Sequence, residues 1–162
     1  MTYALKPGDI LLYTPVGFFG WLISVKTYHL ISHVEVYDGN QQSVASRDGI
    51  GVGRYPIRLS PLGYVLRPQV PLDLAAGRAY FASLDGTPYG WAALLDFIDP
   101  TDLIRGKGIV CSPFAAGFLR ACGWNVFPTD PVERVAPFQF LDLVGQSCSI
   151  AYNLVDGKNN AK

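Results

Sequence analysis

Ser32-His33-Val34-Glu35-Val36-Tyr37-Asp38-Gly39-Asn40 alternates polar and apolar residues and then runs into turn-forming ones. Period-two alternation marks a half-buried strand, with His33, Glu35 and Tyr37 on one face and Val34 and Val36 on the other. Asp38-Gly39-Asn40 supplies residues that tolerate the positive φ of a tight reversal. Upstream, Ile10-Leu11-Leu12-Tyr13, bounded by Gly8-Asp9 and Pro15, reads as another short strand. Downstream, the strand candidates are Ser43 to Ser46, Val52 to Leu59 and Tyr64 to Arg67, separated by Asp48-Gly49 and Pro61-Leu62-Gly63. The expectation is an antiparallel sheet or half-barrel over residues 9–67. Between the first two strands, Phe18, Trp21, Leu22 and Val25 recur at spacings of three and four, which predicts a short helix over 17–28.

The second half of the chain changes character. Pro71 to Leu84 has helical spacing, and Tyr89 to Ile98 predicts a second helix closed by Asp99-Pro100. Ser112-Pro113, followed by Phe114, Ala115, Phe118, Leu119 and Cys122, opens a third, with Ser112 read as its cap and Gly123 as its stop. Strands first and helices second give an α+β fold. One domain over residues 1–145 is expected, with 146–162 as a C-terminal tail whose polar end, Asp156 to Lys162, frays.

Composition sets outer limits on function. The 162 residues are 49% hydrophobic and 16% charged, with a mean hydropathy of +0.21. Such a chain builds a core and is not disordered. Thirteen basic residues balance 13 acidic ones, so the basic excess of a nucleic-acid binder is missing. Cys111, Cys122 and Cys148 are an odd set without a CxxC spacing, which argues against a disulfide scaffold and a zinc ribbon. No transmembrane segment is expected, because the apolar run from Val16 to Val25 falls short of the ~20 residues a span needs. No signal peptide is evident at the start, so a cytoplasmic protein, or one delivered without a Sec signal, is expected.

Cys111 stands immediately before the third helix, where unpaired backbone N–H groups and the helix dipole favour a thiolate and can hold an oxyanion. The competing reading is a small buried hydrophobe. The chain has two histidines, His29 and His33. His33 lies on the polar face of its strand and is the candidate base, while His29, at the helix-to-strand junction, reads as structural. The spacing His29-x3-His33 matches a helical metal half-site, but no glutamate or third ligand accompanies it, so no metal and no cofactor are expected. Gly49-Ile50-Gly51-Val52-Gly53 lacks the Lys and following helix of a phosphate loop. Asp96, Asp99 and Asp102 read as a solvated face, and Cys122 as a core residue on nearly the same side of the helix as Cys111.

Several segments, in order, resemble circularly permuted NlpC-type papain-like proteins, including the YiiX-like branch and the lecithin retinol acyltransferase-like enzymes. They are Lys6-Pro7-Gly8-Asp9-Ile10-Leu11, Ser32 to Gly39, Gly86-Thr87-Pro88-Tyr89-Gly90-Trp91, Val110-Cys111-Ser112-Pro113-Phe114, and Val135-Ala136-Pro137-Phe138-Gln139-Phe140-Leu141. The resemblance implies a permuted papain-like fold in which Cys111 is the nucleophile and His33 the base. It implies a cysteine hydrolase, an amidase or peptidase or an acyl-ester hydrolase or acyltransferase, with a peptide, amide or acyl substrate such as cell-wall peptide or lipid. Trp21, Phe18, Phe19 and Trp91 would suit an aromatic-walled cleft. Tyr13 and Ser112 are candidates for the oxyanion site or the cleft wall.

Many relatives carry a polar third residue about a dozen positions after the histidine. Here that position is Ala45, which cannot orient an imidazole. Ser46 is the next polar residue but belongs to the other sheet face, and Glu35 shares the face of His33 but lies beside it. Ala45→His or Ala45→Glu is therefore expected to raise the rate of alkylation or hydrolysis, or at least not to lower it. The alternative to an enzyme is a non-catalytic binding or structural module that keeps the fold.

Overall fold

The computed structural model describes residues 4–16, 29–90 and 109–155. It is an α+β structure around one six-stranded antiparallel sheet, ordered β4-β3-β2-β1-β5-β6. The strands are β1 (Ile10–Tyr13), β2 (His33–Gly39), β3 (Gln42–Arg47), β4 (Gly51–Pro56), β5 (Leu62–Pro68) and β6 (Cys148–Asn153). Among the described residues, two α-helices, α1 (Leu74–Leu84) and α2 (Cys111–Ala121), and two 3-10 segments, Val132–Arg134 and Pro137–Leu143, accompany it. Among the described residues no helix is long and apolar enough to cross a membrane.

The alternation read from the sequence is what the two sheet faces use. Val34, Val36, Ile10, Leu12, Val44 and Leu66 pack against Phe114, Phe118 and Leu119 of α2 in the main core. Leu11, Tyr13, Tyr37, Leu62 and Val65 form a second cluster, so β1 is buried on both faces. The helices cross closely because two glycines sit in the contact. A Cβ on Gly77 would lie 2.3 Å from Cys122 Sγ, and one on Gly117 would lie 2.2 Å from the Tyr80 hydroxyl. Cys122 is thereby a core residue, as its position on α2 predicts, and burial raises its thiol pKa to about 11.

Several boundaries differ from the sequence reading. β6 lies beyond the expected domain limit at 145 and pairs along β5 from Tyr64↔Asn153 to Pro68↔Cys148. Residues 148–153 are thus part of the sheet, although Ser-Ile-Ala-Tyr carries no turn signal to announce a strand. α1 begins at Leu74, since Asp73 caps it by accepting the N–H groups of Ala75 and Ala76 at 3.0 and 3.1 Å. The expected helix over 17–28, residues 91–98 of the expected Tyr89–Ile98 helix, Phe18, Phe19, Trp21, Trp91, Asp96, Asp99, Asp102 and the end 156–162 lie outside the described residues.

Asp9 fastens the start of the sheet. Its buried carboxylate receives Arg67 Nε at 2.9 Å and Nη2 at 2.7 Å, together with the Lys6 N–H at 2.8 Å. Removing the charge leaves a guanidinium with no counter-ion in a mostly enclosed place. Asp9→Asn is expected to destabilise the fold by about 2–3 kcal/mol. Urea titration checks this; an unchanged midpoint would mean that the ion pair adds nothing.

Candidate active site

α2 starts two residues earlier than its sequence suggests. Cys111 is its first residue and Val110 its N-cap, with no side chain capping the first turn. Ser112, expected as the cap, is instead a buried residue of that turn. The uncapped first-turn N–H groups have no intrahelical acceptor, and the N–H of Ser112 is directed at the Cys111 sulfur.

The approach to Cys111 is stitched from three sides. Ile109 N–H donates to Pro88 O at 3.3 Å, and Gly90 N–H donates to Ile109 O at 3.3 Å. Ser46 Oγ donates to the same Ile109 carbonyl. The β2–β3 pairing ends at Val36↔Val44, so the outer ends of the two strands are not paired with each other there. Ser46 of β3 takes Ile109, and the Val34 N–H of β2 takes the Cys111 sulfur. The start of α2 is wedged between two strand ends.

This wedge sets Cys111 against His33, the first residue of β2, and the thiol and imidazole are hydrogen-bonded. Burial opposes the charged forms of both groups. For Cys111, the positive imidazole, its hydrogen bond and the N–H groups of Val34 and Ser112 outweigh burial and lower the thiol pKa. For His33, burial would lower the pKa, but the charges and hydrogen bonds of Cys111 and Glu35 raise it to about 9. Each group in its charged form thus favours the charged form of the other.

The second imidazole nitrogen is held from behind. His33 Nε2 lies 3.0 Å from Glu35 Oε1, which leaves Nδ1 for the sulfur. The Glu35 side chain is fully buried, yet six donors from five residues converge on it. Oε1 also receives Arg47 Nε at 2.8 Å and Arg58 Nη2 at 3.2 Å. Oε2 receives Arg47 Nη2 at 3.0 Å, the Tyr13 hydroxyl at 3.4 Å and the Ser43 hydroxyl. Burial alone would protonate this carboxyl; His33 and Arg47 reverse that and hold it well below the usual carboxylate range.

The residues singled out in the sequence therefore separate into distinct places. Cys111, His33 and Glu35 form one hydrogen-bonded chain. Ala45 is fully buried in β3 and by strand alternation shares a face with Ser43 and Arg47, both of which reach Glu35. Ala45 carries no polar group, and the imidazole is held instead by Glu35 of the neighbouring strand. Ser46 points away to Ile109 and does not orient the imidazole. Tyr13 turns its hydroxyl to Glu35, with its ring 5.8 Å from that of His33, so it backs the base and offers nothing to an oxyanion. His29 stacks on Phe138, with ring centroids 4.1 Å apart.

Three participants were not evident from the sequence. Arg47 and Arg58 flank Glu35, but arginines at strand ends look like solvated charges. Tyr89 is buried, and its phenol pKa is pushed up first by burial and then by the charges of Cys111 and Asp48. Its position after Pro88, in the segment that sews down Ile109, is the signal that could have found it. Compared with known proteins, the chain matches no family model and no curated sequence at a significant level.

Proposed function

We propose that the chain is a cysteine-dependent hydrolase or acyl-transfer enzyme of the permuted papain-like, NlpC-type fold, acting on an amide, peptide or ester. The observation that carries this reading is the Cys111–His33 hydrogen bond at a helix N-terminus, with His33 backed by a buried, ionised Glu35. Cys111 Sγ attacks the substrate carbonyl carbon, and the carbonyl π electrons move to oxygen. The N–H of Cys111, which has no intrahelical acceptor, is suited to receive that oxyanion. His33, holding the former thiol proton, gives it to the leaving amine or alkoxide as the acyl–heteroatom bond breaks. Water, deprotonated by His33, or another acceptor nucleophile then releases the acyl group from sulfur. Glu35 fixes the imidazole so that Nδ1 faces the sulfur throughout.

The three cysteines provide their own control. Burial raises Cys122 to about 11 and Cys148 to about 12, whereas Cys111 is lowered. Iodoacetamide near pH 7 is expected to label Cys111 at least about a hundredfold faster than either, because only a thiolate reacts. His33→Ala should move the Cys111 profile to higher pH, since the imidazolium that stabilises its thiolate is gone. Mass spectrometry of the labelled peptides reads both. Equal labelling of all three cysteines would overturn the enzyme reading and favour a binding module.

A further inference from the structure

We infer that Arg47 is a positioning residue of this site: by gripping both oxygens of Glu35 it fixes that carboxylate, as an anion, in the orientation that receives His33 Nε2. The inference rests on the reading of Cys111, His33 and Glu35 as the working site. An unpaired carboxyl this deeply buried takes up a proton, and a protonated carboxyl is free to rotate and donate instead of accept. The groups facing Glu35 differ in what they can prevent. Tyr13 from β1 and Ser43 from β3 are neutral donors. Tyr55 from β4 stands close enough to feel the Glu35 charge, but its hydroxyl donates to Gly51 O at 2.7 Å. Arg58, in the segment after β4, reaches only Oε1, at 3.2 Å, from a side chain 37% exposed.

Arg47 alone is bidentate, at 2.8 and 3.0 Å, with a side chain 12% exposed. It is itself immobilised, since Nη2 also donates to Pro56 O at 3.0 Å and the guanidinium lies 4.4 Å over the Tyr55 ring. β4 therefore holds Arg47, Arg47 holds Glu35, and Glu35 holds the base. Planar fork-to-fork geometry of this kind fixes orientation as well as charge, which a lysine in the same place would supply only in part.

The test is the pH profile of Cys111 alkylation by iodoacetamide, from about pH 4 to about pH 9, in wild type, Arg47→Lys, Arg47→Gln, Glu35→Gln and the Glu35→Gln/Arg47→Gln double variant. In Arg47→Gln, Glu35 titrates within the measured range. Its protonation should carry the acid limb upward by about 1–2 pH units, while the rate near pH 8 falls by less than about threefold. Arg47→Lys should show a smaller upward shift. In the Glu35→Gln background, losing Arg47 should change the rate by less than about twofold, because the group it acts through is gone. A uniform loss of rate at every pH, or a full effect of Arg47→Gln on top of Glu35→Gln, overturns the inference. If Arg47→Gln does not fold, the Arg47→Lys profile decides alone, and an acid limb identical to wild type is negative. Carboxyl 13C NMR of Glu35 gives a readout independent of the thiol: ionisation persisting equally in wild type and Arg47→Lys or Arg47→Gln would also overturn it. Failure of Cys111 to label selectively in wild type is a different result, which removes the enzyme reading itself.

Discussion

Glu35→Ala is expected to lower the rate of Cys111 alkylation near pH 7 by at least about a hundredfold, on the scale of losing an organised general base. The imidazole loses its partner on Nε2, and with it a hydrogen bond and a charge that add to those of Cys111 in keeping the ring protonated. The same change strands Arg47 and Arg58 without their carboxylate, so stability should fall by about 3–5 kcal/mol. Glu35→Gln keeps the shape and should recover part of the stability but little of the reactivity. Denaturant melts separate the two effects; a folded Glu35→Ala protein with wild-type alkylation would show that the buried carboxylate has no part in arming the thiol.

The linkage to pH has two signs here. Glu35 is ionised at a lower pH in the folded protein than in the unfolded chain. Its contribution to stability is present above about pH 4.5 and declines as pH falls further. His33 is held protonated up to about 9, so its contribution is complete below about pH 6.5 and is lost as pH rises from there through about 9. Glu35→Ala should flatten both the acid decline and the alkaline one, since the two groups stabilise each other.

The second large effect is expected at Ala45. From sequence alone, a polar side chain there promised a better base. The buried position of Ala45 beside the Glu35 clamp reverses that expectation. A glutamate at 45 would press a second carboxylate against the first, out of water, and like charges in such a place cannot both ionise cheaply. Ala45→Glu should cost about 3 kcal/mol or more in stability and slow Cys111 alkylation at least about tenfold, whereas Ala45→Ser should be mild. Thermal melts and labelling rates measure both. A folded Ala45→Glu protein that labels faster than wild type would restore position 45 as the orienter.

How much could be read in advance follows from what each signal encodes. The alternation of β2 and the stop at Gly123 are local, and both survive in the structure. The helix starts two residues before the position that Ser112-Pro113 marks, because Ser-Pro is a strong capping pattern, while the actual cap, Val110, has no polar side chain. β6 was missed because a strand is defined by its partner as much as by its residues. The clamp on Glu35 was illegible for the same reason: Arg47 and Arg58 reach it across 12 and 23 positions. Glu35 looked misplaced beside His33 because same-face neighbours along a strand seldom serve as acceptor and base. Here the bond forms because His33 is the first residue of β2, beyond the last β2–β3 pair.

The wedge of α2 between two strand ends also imposes an order in time. Tyr13, His33, Glu35, Ser43, Arg47 and Arg58 all precede position 60, so the base and its holders leave the ribosome well before Cys111 is added. The Ser46–Ile109 bond that seats the helix start closes a gap of 63 residues, and contacts of such separation are entropically slow to form. Until that closure the thiol has neither imidazole nor helix terminus and keeps the low reactivity of an ordinary cysteine. The nascent chain thus carries no activated sulfur, and the nucleophile is switched on by completion of the tertiary structure itself.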